Sequence, residues 1–126
     1  MTYFEQCATE AENRGDISTA RRIRIEGKIA TKLVETLIAA GFKITVNDGD
    51  ENVCVKSTDV NAIVNSMFTT DEEYLFAYND THNNGVTVYL VYGNDGYDVI
   101  SDYSLKLSKF IEPVNKYIDD LESGRI

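Results

Sequence analysis

The chain has 126 residues, a net charge of −9 and an isoelectric point near 4.5. That length predicts one domain over residues 1–126, with residues 1–16 as a loosely attached N-terminal helix. The acidity argues against a protein that mainly binds nucleic acid or an anionic membrane, because both partners need a basic surface. The 43% hydrophobic content is typical of a globular protein and argues against disorder of the whole chain.

Targeting signals and cysteine motifs are not recognisable in the sequence. The N-terminal residues lack a basic segment followed by an apolar run, and the apolar stretches are far shorter than a membrane span. Cys7 and Cys54 match no zinc or redox spacing, so two free thiols are expected, the alternative being a single disulfide. We therefore expect a soluble protein of a reducing cytoplasm.

The N-terminal third predicts two helices. The first covers residues 2–13, and the second runs for about 22 residues, with Ser18 as its N-cap and Gly41 just after its last turn. The second helix is predicted from its broad apolar stripe at helical spacing, which consists of Ala20, Ile23, Ile29, Ala30, Leu33, Val34, Leu37 and Ile38.

The apolar period then changes from helical to two. Alternating segments at 42–46 and 53–56 flank an Asp-Gly turn at 48–51, which predicts a hairpin. Residues 57–59 offer a cap for a short helix whose apolar residues are Val60, Ile63, Val64 and Met67.

Three more strands and a helix complete the predicted order. The strands are expected at 74–78, 86–92 and 97–101, separated by turns rich in Gly, Asn and Asp. The helix is expected at 106–122, where Pro113 either kinks it or marks its first turn. Strands arranged as hairpins predict an α+β fold. We expect a mostly antiparallel sheet of about five strands, with the long N-terminal, short middle and C-terminal helices packed on one face.

Catalytic and metal-binding patterns find little support. The single histidine, His82, lies in a predicted turn, and no glycine-rich phosphate loop occurs. Asp48 and Asp50 begin a partial calcium loop, but Val53 and Asp59 stand where glycine and glutamate are required. We therefore predict no enzyme, no cofactor and no metal site.

The excess charge lies in one segment. Residues 44–105 contain eleven acids against Lys56 alone, which gives −10, together with six of the eight tyrosines. Acids in turns keep a small protein soluble, and tyrosine is enriched in protein interfaces, so this segment is interpreted either as a solubilising surface or as an acidic surface that binds a basic protein. The predicted interaction residues are Asp48, Asp50, Glu51, Asp71, Glu72, Glu73, Asp80, Tyr89, Tyr92, Asp95, Tyr97, Asp98 and Asp102.

The long helix carries a basic cluster made of Arg21, Arg22, Arg24, Lys28 and Lys32. Most of these residues fall on the solvent side, where Glu26 and Glu35 lie at a spacing that allows ion pairs. The cluster is therefore interpreted as a solvated helix face, with DNA binding as a less favoured alternative.

Several segments resemble a family of small acidic proteins encoded in bacteriophage and prophage genomes. These are NDGDE at 47–51, STD at 57–59, LVYGNDG at 90–96 and VISDY at 99–103, and the resemblance covers roughly residues 28–121. It implies an accessory protein made in the bacterial cytoplasm, and such proteins often bind and inhibit host enzymes, including defence nucleases. It implies no activity for any particular residue.

The leading functional hypothesis is a non-enzymatic phage accessory protein that inhibits a host nucleic-acid-handling or defence protein. Its partner would be a host protein with a basic surface, and nucleic-acid mimicry is one form of this hypothesis. Neither direct nucleic-acid binding nor membrane binding is expected, and homo-oligomers remain open. The alternative is a nucleotide-like small-ligand binder or a cryptic enzyme, with its site on the open sheet face or between subunits.

Overall fold

The chain forms an antiparallel five-stranded sheet with helices packed on one side. The structure is a computed structural model that describes residues 2–126. Within those residues the elements are α1 (Tyr3–Asn13), α2 (Ile17–Ala39), β1 (Lys43–Asn47), β2 (Asn52–Ser57), α3 (Val60–Asn65), β3 (Glu72–Tyr78), β4 (Val86–Val91), β5 (Ile100–Tyr103) and α4 (Ser108–Glu122). The strand order is β2-β1-β3-β4-β5, and all neighbours are antiparallel. The predicted α+β fold is confirmed.

The long helix α2 begins at a different cap from the predicted one. Asp16, not Ser18, is the N-cap: its Oδ1 accepts the backbone N–H of Thr19 at 3.2 Å, and Ser18 donates its hydroxyl to the same oxygen. A carboxylate is favoured there because it accepts an otherwise unpaired amide at the positive end of the helix.

The C-terminal end of α2 follows the prediction. Gly41 has a φ of +94°, a conformation that glycine adopts without steric cost. The N–H of Phe42 donates to the carbonyl of Leu37, and that of Gly41 donates to the carbonyl of Ile38. This Schellman arrangement ends the helix and turns the chain directly into β1.

Helix α1 packs against α2 through small residues. Ala8 and Ala11 are fully buried, and the ring of Phe4 lies over Gly27 of α2. Arg24 of α2 also reaches both carboxylate oxygens of Glu12, at 2.6 and 3.2 Å. The N-terminal helix is thus part of the packed structure.

The core lies between the helices and one face of the sheet. The strand residues that face it alternate with outward-facing residues, as the pleat requires. A single cluster contains Leu33 and Leu37 of α2, Ile63 of α3 and Ile111 of α4, together with the inward-facing strand residues Ile44, Val46, Leu75, Ala77, Val88 and Leu90.

In the C-terminal part of the chain, the start of β5 differs from the prediction, and the position of Pro113 in α4 decides between the two predicted alternatives. Strand β5 begins at Ile100 instead of residue 97, because the loop before it is longer than a tight turn. Pro113 is the sixth residue of α4, so it lies in the interior of the helix and does not mark its first turn. The residue is exposed, and the buried side of α4 is formed by Ile111 and Val114.

Both cysteines are free and half-buried, as predicted. Across residues 2–126, no helix combines the length and apolar character needed to cross a bilayer.

Candidate interaction surface

The face of the sheet that points away from the helices carries aromatic side chains. Because Leu75 and Leu90 point into the core, their strand neighbours Tyr74 and Tyr89 point to the opposite face. These two tyrosines are paired directly across β3 and β4, and their ring centroids lie 4.9 Å apart at an interplanar angle of 24°. Phe76 stacks beside Tyr74 at 6.3 Å. The open face thus presents a half-buried aromatic surface.

Two carboxylates flank these rings. Tyr89 donates its hydroxyl to Oε2 of Glu72 at 2.7 Å, and this hydrogen bond raises the pKa of Tyr89 above its usual value. Asp102 of β5 lies directly across from Tyr89 in the β4–β5 ladder. The side chains surround a shallow depression of about 390 Å³, lined by Tyr74, Thr87, Tyr89, Asp102, Tyr103 and Ser104.

The topology brings three acidic segments to one end of the sheet. The β1–β2 turn, the start of β3 and the loop after β4 meet there, because Asn47 pairs with Tyr74 and Glu72 pairs with Val91. The N–H of Tyr92 donates to the carbonyl of Asp71 at 2.8 Å, which joins the second and third segments. We call this region the acidic end; its acids are Asp48, Asp50, Glu51, Asp71, Glu72, Asp95 and Asp98.

Two acids of the acidic end also shape its loops. Oδ1 of Asp48 accepts the N–H groups of Asp50 and Glu51, and Oδ1 of Asp95 accepts those of Tyr97 and Asp98, all at 2.9 Å. Hydrogen bonds to the ionised form lower the pKa of both Asp48 and Asp95. Both carboxylates are therefore charged at neutral pH, and each also holds the backbone of its own loop in place.

The acids of residues 44–105 form no ion pairs within residues 2–126, although Arg21 and Arg22 line the same groove as Asp95. Among residues 2–126, the ion pairs are Arg22–Glu26, Arg24–Glu12, Lys116–Asp120 and Arg125–Asp120. None of them involves an acid from 44–105. The excess negative charge counted over residues 44–105, most of which lies at the acidic end, is thus not offset by ion pairs within residues 2–126.

Glu73 and Tyr92, two of the predicted interaction residues, lie inside the protein. Glu73 is fully buried, and its Oε2 accepts the Tyr92 hydroxyl and the N–H of Phe68. Burial raises the pKa of Glu73 to about 7, and its Oε1 has no hydrogen-bond partner within residues 2–126. Tyr92 is 8% exposed and stacks on Phe68 at 4.3 Å. Neither side chain is accessible to a partner.

The remaining predicted residues are spread over the surface. Asp80 is exposed in the β3–β4 turn, at the end of the sheet opposite the acidic end. Tyr97 is half-buried and lines a groove beside the start of α2, with Arg21 and Ile25 on the other wall. Of the predicted interaction residues, Tyr89 and Asp102 lie on the open face, and Glu72 lies at its border.

Glu26 is a structurally important acid that sequence reasoning assigned to the solvent side of α2. It is 1% exposed, pairs with Arg22 at 2.7 Å and accepts the N–H of Gly93 at 2.8 Å. Burial raises its pKa, although both of these contacts oppose the shift. Glu26 therefore ties the loop of the acidic end to α2. Its spacing of three from Ile23 and Ile29 places it within the apolar stripe, which is the signal that could have identified it.

The basic cluster of α2 is partly neutralised. Arg22 pairs with Glu26 as predicted, and Arg24 pairs with Glu12 of α1, so Arg21 is the exposed arginine of the three that lacks an ion pair within residues 2–126. In that same range, no group of three or more His, Cys, Asp or Glu side chains is placed to hold a metal ion.

The fold and surface together define an antiparallel α+β protein with an acidic end beside an aromatic open face. No protein-family model, curated protein or solved structure matches this chain.

Proposed function

We propose that this protein is a non-enzymatic binding protein that inhibits a host nucleic-acid-handling or defence protein by occupying its basic surface. The observation that carries the proposal is the acidic end, where three separate segments bring together acids that form no ion pair with any Lys or Arg of residues 2–126. The resemblance to small acidic phage proteins supports the same role, in the bacterial cytoplasm.

The charge arrangement favours recognition of a basic partner over a role in solubility alone. Acids spread evenly over a surface keep a protein soluble, whereas clustered like charges repel one another and cost stability. The chain instead concentrates its acids and places accessible aromatic rings beside them, a combination that speeds encounter with a basic partner and then gives contact area.

Nucleic-acid mimicry is the specific form of inhibition that this surface would support. Carboxylates at the acidic end would take the places of phosphates in the basic cleft of the target, and the complex would weaken as salt rises. The target's nucleic acid and this protein would then compete for the same cleft.

A triple charge reversal tests the proposal. Asp50, Asp71 and Asp98 are exposed, and their side chains make no hydrogen bonds within residues 2–126, so changing them to lysine removes no side-chain hydrogen bond from the loops. The protein, used as bait in bacterial lysate at 0.15 M NaCl, is expected to retain a basic protein whose nucleic-acid binding it blocks. The D50K/D71K/D98K variant is expected to lose both the capture and the inhibition.

A matched variant controls for net charge. Glu10, Glu112 and Glu122 are exposed helix residues, and their reversal to lysine gives −3, the same net charge as in the first variant. This control is expected to capture and inhibit like the wild-type protein. Equal behaviour of the two triple variants would contradict the proposal, because it would show that total charge and not the acidic end decides binding.

A further inference from the structure

We propose that the open sheet face binds an arginine side chain of the basic partner. The site is the tyrosine–carboxylate patch, which we define as Tyr74, Tyr89, Glu72 and Asp102. This inference rests on the proposed function and adds the chemical identity of the group that is recognised.

The patch offers one aromatic face, that of Tyr89 turned away from Tyr74, because Tyr74 itself is stacked between Phe76 and Tyr89. This face of Tyr89 borders the depression that Asp102 also lines. Tyr74 and Tyr89 stack on each other, and Tyr89 is held in place by its hydrogen bond to Glu72. A guanidinium is planar and weakly hydrated, so it stacks on an aromatic face better than the compact ammonium of lysine. The geometry of the rings therefore favours arginine over lysine.

Each carboxylate of the patch has one oxygen that accepts no hydrogen bond within residues 2–126. Glu72 accepts the Tyr89 hydroxyl through Oε2, and Asp102 accepts the N–H of Tyr103 through Oδ1. Arginine has five N–H donors in a fixed plane, so one guanidinium can stack on a ring and still donate to a carboxylate beside it.

The opposite end of the same face already holds a cation over a ring. The Nζ atom of Lys56 lies 4.9 Å from the centroid of the Tyr78 ring, and Lys43 is paired across from Tyr78 in the β1–β3 ladder. At the patch, by contrast, no Lys or Arg of residues 2–126 forms an ion pair with Glu72 or Asp102. The patch therefore has the surroundings of a cation site without an internal cation.

Two kinds of ligand can stack on an aromatic sheet face: the bases of a single-stranded nucleic acid and the arginines of a basic protein segment. The charge around the rings decides between them. Proteins that hold single-stranded nucleic acid combine such rings with a positively charged groove. Here Glu72 and Asp102 border the rings, and the acidic end lies directly beyond them, so a phosphate backbone would be repelled. A basic protein segment is the occupant that this face fits.

Two blocked peptides of equal charge test the inference. Acetylated and amidated hexa-arginine and hexalysine are titrated into the protein at 0.05 M NaCl by calorimetry, while NMR follows the ring signals of the tyrosines. We expect hexa-arginine to bind about 2- to 5-fold more tightly than hexalysine. The ring signals of Tyr74 and Tyr89 are expected to shift, whereas those of Tyr117, on α4 beside Lys28 and Lys32, stay in place.

Single substitutions distinguish binding at the patch from attraction to the overall negative charge of the protein. D102N and D98N change the charge by the same amount, but Asp98 lies in the loop outside the open face. D102N and Y89L are expected to abolish the preference for arginine, whereas D98N is expected to keep it. Y89F retains the ring without the hydroxyl and is expected to keep the preference, which separates the role of the ring from that of its hydrogen bond to Glu72.

Three results would overturn the inference: equal affinity for the two peptides, equal effects of D98N and D102N, or binding of a ten-residue thymidine oligonucleotide that Y89L abolishes. If the arginine preference is missing while D50K/D71K/D98K still loses its captured protein, only this inference fails. If the triple variant keeps both capture and inhibition, the proposed function fails as well.

Discussion

Glu73 is an acid placed in the core without a cation. Its carboxylate is fully buried and receives two hydrogen bonds at one oxygen, and desolvation raises its pKa from 4.5 to about 7. A raised pKa means that the folded protein binds the proton more tightly than the unfolded chain does. The folded state is therefore favoured when Glu73 is protonated, and it loses this advantage as the carboxyl ionises.

The pH dependence of stability follows with a definite sign. As pH rises from about 4.5 to about 7, the free energy of unfolding is expected to fall by roughly 3 kcal/mol and then to level off. Glu26 contributes in the same direction, because burial raises its pKa too. Urea unfolding between pH 5 and 8 measures this slope.

The substitution E73Q isolates the contribution of Glu73. Glutamine does not ionise, and its side-chain oxygen can still accept the hydroxyl of Tyr92 and the N–H of Phe68. We expect most of the decline in stability above pH 5 to disappear in E73Q. A variant that declines as steeply as the wild-type protein would show that the slope comes from other groups.

At the scale of elements, Gly27 decides how closely α1 approaches α2. A Cβ atom at this position would lie 2.2 Å from ring carbons of Phe4. G27A gains about 1 kcal/mol in helix propensity, but it must displace the Phe4 ring at a cost of about 1–3 kcal/mol. The net expectation is a loss of up to about 2 kcal/mol in the free energy of unfolding, measured in urea.

A double-mutant cycle checks the cause of that loss. In the F4A background the ring is absent, so G27A should no longer destabilise and should instead stabilise by up to about 1 kcal/mol. If G27A costs the same in both backgrounds, the approach of α1 to α2 does not depend on this contact.

Long elements of the fold were predictable from the sequence, whereas the bounds of β5 were not. Helix α2 and strands β3 and β4 each repeat their apolar period several times, so packing and local preference agree. Strand β5 starts three residues later than predicted, because the Asp95 carboxylate binds two backbone N–H groups and curls the preceding loop. A few side-chain contacts decide such a loop, and periodicity does not report them.

In the candidate site, too, some features follow from the strand pattern and others do not. Tyr92 follows Val88 and Leu90 at intervals of two, and Glu73 precedes Leu75 by two, so the strand period puts both side chains on the inward face. Both were nevertheless assigned to the surface on residue type alone. The meeting of three acidic segments depends on strand order, which no local pattern encodes.

At the scale of the whole molecule, the charge is distributed unevenly enough to affect stability. The acids of the acidic end repel one another without compensating ion pairs from residues 2–126. Salt shortens the range of this repulsion, because the Debye length falls from about 10 Å at 0.1 M to about 3 Å at 1 M. We expect the Tm of the wild-type protein to rise by about 3–5 °C when NaCl is raised from 0.02 to 0.5 M.

The two triple variants locate the repulsion. Both have a net charge of −3, so a difference between them reports position and not total charge. D50K/D71K/D98K is expected to lose most of the salt-induced rise in Tm, whereas E10K/E112K/E122K keeps more of it. An equal loss in both variants would mean that the repulsion is spread over the whole surface.

The outer strands of the sheet have a consequence for how this protein meets others. The β1–β2 and β4–β5 ladders both contain register shifts, whereas the two inner ladders run without one, and Lys56 of β2 has a φ of +47°. Irregular edges do not present the even row of N–H and C=O groups that an incoming strand needs, so they oppose aggregation by strand addition. The proposed partner would then be recognised through side chains and not through the backbone, so single substitutions are expected to change which partner binds.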